Sequence, residues 1–299
     1  MRGFELPRSL VCAADGDDDP DPVQRQWIAG LPSVVGDLAC RWSLQVGRPF
    51  QPGGSASWVA PARTSAGERV VLKVGWRHNE ALHEADGLRA WDGRGTVRLL
   101  GSLVAGTMCA LLLEACEPGI PLAQALPERE QDAVVAGLLR RLWIEPPAGH
   151  PFRPLQDMCD RWAGEFEENY AAARAQGHDQ LDPGLARAGI ELFRQLPGTA
   201  GRSVLLCTDL HHDNVLTAAR EPWLVIDPKP YVGEPAYDLL QHMLNFPGRL
   251  AADPVGFADR MAGLLGLDRE RVRHWLFARC VQESVSEPHL RTAAIRLAP

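Results

Sequence analysis

Apolar residues recur at helical spacing from near Val23 through Trp27, Ile28, Leu31, Val34, Val35 and Leu38, which predicts an amphipathic helix. The period then shortens. Arg41 to Val46 reads as a strand, and Pro52 to Pro61 reads as strand, tight glycine turn, strand. After a polar turn at Thr64–Glu68, Val70-Val71-Leu72-Lys73-Val74 is a buried strand. Asn79 to Trp91 predicts a helix, and Val97–Leu100 and Met108–Leu113 supply two further strands. Beyond Glu114–Gly119 the texture turns helical, with Pro and Gly punctuating 127–142, 155–176 and 183–196. Two short strands, Val204–Cys207 and Trp223–Ile226, interrupt that run before the helical pattern resumes at Pro235. The fold class implied is α+β and bilobal. A small antiparallel sheet with one helix forms the N-lobe, and a larger, mainly helical C-lobe carries one hairpin-like insert. The boundaries read as an acidic mobile tail over 1–22, an N-lobe over 23–113, a connector over 114–119 and a C-lobe over 120–299.

Composition leaves this picture intact and narrows the function. The chain has 299 residues, 45% hydrophobic and 23% charged, which excludes a disordered or fibrous class. A net charge of −7 argues against non-specific binding to nucleic acid or to an anionic membrane, and is compatible with a cationic small substrate. The seven cysteines are odd in number and scattered without a C-x-x-C pair, which fits a reducing compartment. No apolar run approaches the roughly 18 residues of a membrane span, and the N-terminus lacks a signal-peptide core. The expectation is a cytoplasmic protein with a small-molecule partner, no nucleic acid, no membrane and no obligate protein partner.

The chemistry concentrates in Cys207-Thr208-Asp209-Leu210-His211-His212-Asp213-Asn214-Val215-Leu216, followed by Val225-Ile226-Asp227-Pro228-Lys229. An Asp, an Asn five residues later, and a second Asp ending an apolar strand have the spacing of a phosphoryl-transfer loop. A triphosphate needs a divalent cation on hard oxygen ligands. Asp227 and Asn214 could hold magnesium, leaving Asp209 to accept a hydroxyl proton. Two plainer readings compete: ordinary turn aspartates, and a metal cluster at His211-His212-Asp213. Lys73, inside a β-branched strand, costs burial energy unless its ammonium is paired. It reads as a phosphate contact held by Glu84, with Glu80 as the alternative partner, or as an edge lysine that snorkels to solvent. Gly53-Gly54-Ser55 stands where a phosphate-covering turn would lie, although an ordinary hairpin turn explains it nearly as well.

These segments resemble the catalytic signature of the aminoglycoside phosphotransferase family, distant relatives of protein kinases, and within it the streptomycin 6-phosphotransferase and hydroxyurea kinase branch. The resemblance extends to Gly233-Glu234-Pro235-Ala236-Tyr237-Asp238-Leu239, to Arg25–Pro32 and to Val70–Lys73, so it covers most of the chain from Arg25 onward. It implies a protein-kinase-like fold with ATP between the lobes, Asp209 as catalytic base, Asn214 and Asp227 as Mg2+ ligands, and Lys73 with Glu84 at the phosphates. The connector, including Glu114 and Cys116, would pass adenine through its backbone. Asp238 would bind backbone groups of the catalytic loop, while Lys229 would touch phosphate or substrate, or offset local acidity. The acceptor implied is an antibiotic, streptomycin first and hydroxyurea second, with Glu165, Glu167, Glu168 and Glu283 as candidate contacts. The other outcomes are a kinase of another small metabolite and a catalytically weak binding relative. One departure stands out: Cys207-Thr208-Asp209 replaces the usual His-Gly-Asp, which implies a loop held less rigidly, without excluding activity.

Overall fold

The structure, a computed structural model, describes residues 4–15, 22–77 and 82–299. The chain divides into two compact units, Met1–Gly119 with Ala218–Leu224, and Ile120–Thr217 with Val225–Pro299.

In the first unit, helices α1 (Arg8–Asp15) and α2 (Pro22–Arg41) precede strands β1 (Gln45–Val46), β2 (Ser57–Arg63) and β3 (Arg69–Trp76). Helix α3 (Glu84–Trp91) and strands β4 (Leu99–Ala105) and β5 (Met108–Glu114) follow. The sheet is antiparallel in the order β1-β2-β3-β5-β4, with Lys73 opposite Val59 and Leu111. Alternation along the strands decides what each face carries. Trp58, Ala60 and Ala62 join Val70, Leu72, Val74, Ala110 and Leu112 in one buried cluster with Trp27, Leu31, Val35 and Leu38 of α2. Lys73 falls on the other face, where α3 supplies Glu84.

Three expectations change here. Residues 4–15 are not a mobile tail: Leu10 is fully buried in the same cluster, Phe4 stacks on Trp58 with centroids 5.4 Å apart, and Trp58 Nε1 donates to Glu5 O at 3.0 Å. The acidic run hides this because the apolar face of α1 is a single leucine wide. Arg41 to Val46 is not a strand, because α2 runs to Arg41 and only Gln45 and Val46 pair, with Arg63 and Ala62. The boundary at residue 120 is not clean either, since Ala218–Leu224 groups with the first unit.

The second unit begins with α4 (Leu122–Ala125), α5 (Glu128–Leu142), α6 (Leu155–Ala175) and α7 (Pro183–Gln195). Strands β6 (Val204–Leu206), β7 (Val215–Thr217), β8 (Trp223–Val225) and β9 (Tyr231–Gly233) lie between these and α8 (Pro235–Asp238), α9 (Leu240–Leu244), α10 (Pro247–Ala252), α11 (Pro254–Leu265), α12 (Arg269–Glu283) and α13 (Leu290–Leu297). Helix α12 is the core of this unit: Val272, Trp275, Leu276, Phe277, Ala278, Cys280 and Val281 are all buried. The two strands legible in the sequence do not pair with each other. β6 pairs antiparallel with β9, Leu205 opposite Val232, a three-residue partner too short for periodicity to reveal. The loop that carries Asp209 leaves β6 and is bonded at its start to Asp238 of α8.

Since Leu10 fills core space, Leu10→Ala is expected to cost about 2–5 kcal/mol of stability. Denaturant unfolding would show it as a lower midpoint with an unchanged slope; an unshifted midpoint would mean that α1 contributes nothing to the fold.

Candidate active site

The loop after β6 is built around one buried carboxylate. Asp238, 1% exposed at the end of α8, accepts the backbone N–H of Cys207 at 3.1 Å and of Thr208 at 2.6 Å, and the indole N–H of Trp143 at 3.0 Å. Burial pushes its pKa up to about 6, although the three donors favour the charged form. The chain can then turn sharply, with Thr208 at φ +53°, a left-handed conformation that a β-branched residue rarely adopts. The hydroxyl of Thr208 offsets part of that strain by donating to Lys229 O at 2.5 Å. Cys207 is fully buried and burial raises its thiol well above the usual range, so it is an inert core residue.

Lys229 fastens this turn three times over. Its N–H donates to Cys207 O at 2.8 Å, its carbonyl takes the Thr208 hydroxyl, and its ammonium lies 3.0 Å from Asp209 Oδ2. Three consecutive loop residues are thereby bound to one lysine. Asn214 reaches back from a short 3-10 turn, its Nδ2 donating to Asp209 O at 3.0 Å. That bond leaves Oδ1 of Asn214 to act as an acceptor. Ile226 N–H donates to Asn214 O at 2.9 Å, which sets Asp227 next to this turn, itself at φ +52°. Two non-glycine residues in left-handed geometry within one loop system are strain of the kind found at functional sites.

Asn214 Oδ1 and the Asp227 carboxylate are hard oxygens from adjoining turns. Magnesium is usually held by one or two such protein groups, with phosphate and water oxygens completing the shell, so this donor set fits it. Among the described residues no group of three or more His, Cys, Asp or Glu gathers as a metal cage. The expected alternative at His211-His212-Asp213 has no such geometry. His211 Nδ1 accepts the Asp213 N–H at 3.4 Å, while His212 packs on Phe246 with centroids 4.8 Å apart and its Nε2 lies 3.5 Å from Asp213 Oδ2. Burial lowers the pKa of His211.

In the first unit, Lys73 Nζ lies 2.8 Å from both carboxylate oxygens of Glu84, and both residues are buried. The alternative partner, Glu80, lies outside the described residues. A buried ion pair of this geometry fixes the ammonium in one position. Gly53, at φ +78°, has a packing reason for its identity: a Cβ there would stand 2.5 Å from Pro7 Cβ. Gly54 and Ser55 sit in the same turn, where Gln24 Nε2 donates to Ser55 O at 3.4 Å. At the end of β5, Glu114 N–H is engaged with Arg98 O at 2.9 Å. Its carboxylate receives Arg220 Nε and an Arg220 NH2 group, each at 2.9 Å. Burial would raise the pKa of Glu114, and the Arg220 bonds outweigh it and hold it low. Burial pushes the Cys116 thiol up to about 12.

Of the glutamates expected to meet an acceptor, Glu167 is bound by Arg194 at 2.6 and 2.8 Å, Glu283 by Arg279, and Glu165 lies 3.5 Å from Arg161. Local arginines already compensate their charge. Trp143 and Arg220 were not singled out from the sequence. Nothing distinguishes Arg220-Glu221 from a solvated turn until Arg220 is seen to reach Gly93 O, Thr96 O and Glu114 together.

Residues 41–288 match the family described as aminoglycoside/hydroxyurea antibiotic resistance kinase. The chain is 38% identical over 268 residues to the hydroxyurea phosphotransferase of Kitasatospora aureofaciens, covering 88% of this chain and 75% of that one. It is 34% identical over 275 residues to the streptomycin 6-kinase of Streptomyces glaucescens, covering 90% and 87%. Among solved structures, the choline kinase of Cryptosporidium parvum superposes with a TM-score of 0.58 at 10% identity, covering 89% of this chain and 94% of that one. That likeness shows the fold: α+β and protein-kinase-like. Among the described residues no helix is long and apolar enough to cross a membrane.

The folded pKa of Asp238 lies above that of an unfolded aspartate, so its contribution to stability is complete below about pH 4 and is lost as pH rises through about 6. Relative to Asp238→Asn, the wild type is therefore expected to gain up to about 3 kcal/mol between pH 7 and pH 4. Denaturant titrations of both proteins at four pH values measure this, and a flat difference would refute it. At Thr208, replacement by Val keeps the strain and removes the hydroxyl bond, for an expected loss of about 1–2 kcal/mol. Thr208→Gly relieves the strain while losing the same bond and is expected to be nearly neutral. Equal losses in the two variants would show that the backbone there is unstrained.

Proposed function

The chain belongs to the aminoglycoside/hydroxyurea antibiotic resistance kinase family, and from that premise we propose that it transfers the γ-phosphoryl group of ATP to a hydroxyl of a small antibiotic. A streptomycin-like aminoglycoside is the first choice of acceptor and hydroxyurea the second, since the two kinds of relative bear those names. The net charge of −7 favours the cationic molecule. The observation that carries the reading is the immobilised Asp209, with its carboxylate on Lys229 and its carbonyl on Asn214.

Asp209 accepts the hydroxyl proton as the acceptor oxygen bonds to the γ-phosphorus and the bond from that phosphorus to the bridging oxygen breaks, releasing ADP. Lys229 keeps the Asp209 carboxylate in one orientation throughout. Lys73, positioned by Glu84, offers its ammonium to phosphate oxygens. Asn214 Oδ1 and the Asp227 carboxylate would hold Mg2+, which, when bound, supplies positive charge against the triphosphate. Preorganisation is the main contribution of these residues, because each is fixed by the fold before any substrate arrives. ATP as donor places the activity in the cytoplasm.

An ADP-release assay with Mg-ATP and either streptomycin or hydroxyurea tests the assignment. Asp209→Ala is expected to lower kcat by about 10²–10⁴-fold while the protein stays folded, and Lys73→Met is expected to raise KM for ATP. Turnover of Asp209→Ala within threefold of wild type would remove Asp209 from the chemistry.

A further inference from the structure

The tip between β7 and β8 carries Arg220, and its guanidinium is saturated. Nε and Nη2 donate to the two carboxylate oxygens of Glu114, each at 2.9 Å. Nη2 also donates to Thr96 O at 2.9 Å, and Nη1 to Gly93 O and Glu221 Oε1, both at 2.7 Å. A guanidinium has five N–H groups, and each has an acceptor here. The approach is close: Gly93 stands at φ +74°, and a Cβ there would lie 2.7 Å from Arg98 Cγ and 3.4 Å from Arg220 Nη2. All of these residues belong to the first unit.

The connector that begins at Glu114 has few other means of being held. None of residues 114–119 is buried, so side-chain burial does not fix its path. Arg69 pairs with Glu117, but both side chains are about half exposed, and such a pair contributes little. Arg220 and Glu114 are mostly covered, and their two parallel bonds are charge-assisted and set direction as well as distance. The Glu114 carboxylate is tied to its own backbone on the other side: Glu114 N–H donates to Arg98 O, and Arg98 N–H donates to Glu114 Oε2 at 3.0 Å. Beyond it, the N–H groups of Ala115 and Cys116 have no acceptor among the described residues. Those two amides are left for a ligand or water.

Backbone amides recognise a nucleobase only when the chain that bears them is fixed in advance, because ordering a mobile segment on binding subtracts from affinity. We propose that Arg220 is a positioning residue for the nucleoside end of ATP: by gripping Glu114 it holds the amides of Ala115 and Cys116 where the base meets them. This rests on the kinase reading and adds a residue, remote in sequence from the connector, on which its recognition of the base depends. The phosphate end is held separately. Helix α3, which precedes Gly93 and Thr96, is secured by the buried Leu88 and Trp91, so loss of Arg220 leaves the Lys73–Glu84 pair in place.

Equilibrium binding of Mg-ATP and of Mg-tripolyphosphate, which has the phosphates and no base, separates base positioning from general loosening. In Arg220→Met the Kd for Mg-ATP is expected to rise about tenfold, which corresponds to about 1.4 kcal/mol, while that for Mg-tripolyphosphate changes less than about threefold. Arg220→Lys keeps one charged bond, is expected to show a smaller rise of about threefold, and serves if Arg220→Met does not fold. Glu114→Gln added to either variant is expected to weaken Mg-ATP less than about twofold further, since both changes act through one contact. A Kd for Mg-ATP unchanged in every folded Arg220 variant would overturn the positioning role and leave the kinase reading standing. So would equal losses for the two ligands, or a full additive loss on combining the changes. A wild type that binds neither ligand would overturn the kinase reading and the positioning role with it.

Discussion

The bond set around Asp238 is the constraint on which the loop depends. A carboxylate with almost no exposure is costly to bury, and here it is matched by three N–H donors from Cys207, Thr208 and Trp143. Two of those donors are consecutive backbone amides, so the carboxylate fixes the peptide plane between them and with it the direction of the chain into Asp209. The left-handed turn at Thr208 follows from that geometry, as does the need for something to hold a β-branched residue there. Lys229 meets that need, and it does so from the strand-to-strand connection that also delivers Asp227. One short segment, 227–229, therefore sets both the Asp227 carboxylate and the ammonium that partners Asp209.

Elsewhere a buried charge is made tolerable by fixed counter-charges rather than by neutral donors, and this happens twice. In the first unit Lys73 and Glu84 neutralise each other inside the sheet-and-helix sandwich. In the second unit Asp132 gathers Arg249, Arg260 and His242, and these bonds, set against its burial, hold its carboxyl well below the usual range. Removing one member of such a set leaves a charge stranded in low dielectric, which costs more than the pair itself contributes. Their value is positional. Long, flexible lysine and arginine side chains lose their freedom during folding rather than on binding, and a ligand then meets a surface already arranged for it.

Much of this was legible because the chemistry is local in sequence. Asp209, Asn214 and Asp227 lie within nineteen residues, so spacing and family resemblance brought them out together as candidates, and the single lysine in a β-branched strand announced a buried partner, Glu84. What stayed hidden is carried by long-range contacts or by elements too short to show a period. Strand β9 has three residues, so the true partner of β6 could not be seen. The acidic flank of α1 masked one buried leucine. Arg220 lies in a hairpin tip that composition reads as solvent-exposed, while in the fold it gathers the carbonyls of Gly93 and Thr96 and the carboxylates of Glu114 and Glu221. The Cys207-Thr208 pair showed in the sequence as a departure. Its compensation could not be read there, because it runs through Lys229, twenty-one residues from Thr208.

Saturating the donors of a wall changes what the wall can recognise. Arg249 would by charge alone attract anions to the cavity of the second unit that it lines beside His212, yet both its forks are turned on Asp132 and its face rests on the Phe257 ring. The atoms left over are the side-chain oxygens of Gln131, Asn245 and Glu128 together with His212 Nδ1, which donates or accepts according to its tautomer. A charge inventory of the lining residues would therefore mislead, whereas a hydrogen-bond inventory shows where specificity can reside. The loop that carries Asp209 follows a different rule: its residues are tethered to one another and to backbone. Two buried carboxylates thus organise separate parts of the second unit, Asp132 the wall that carries Arg249 and Asp238 the loop that carries Asp209.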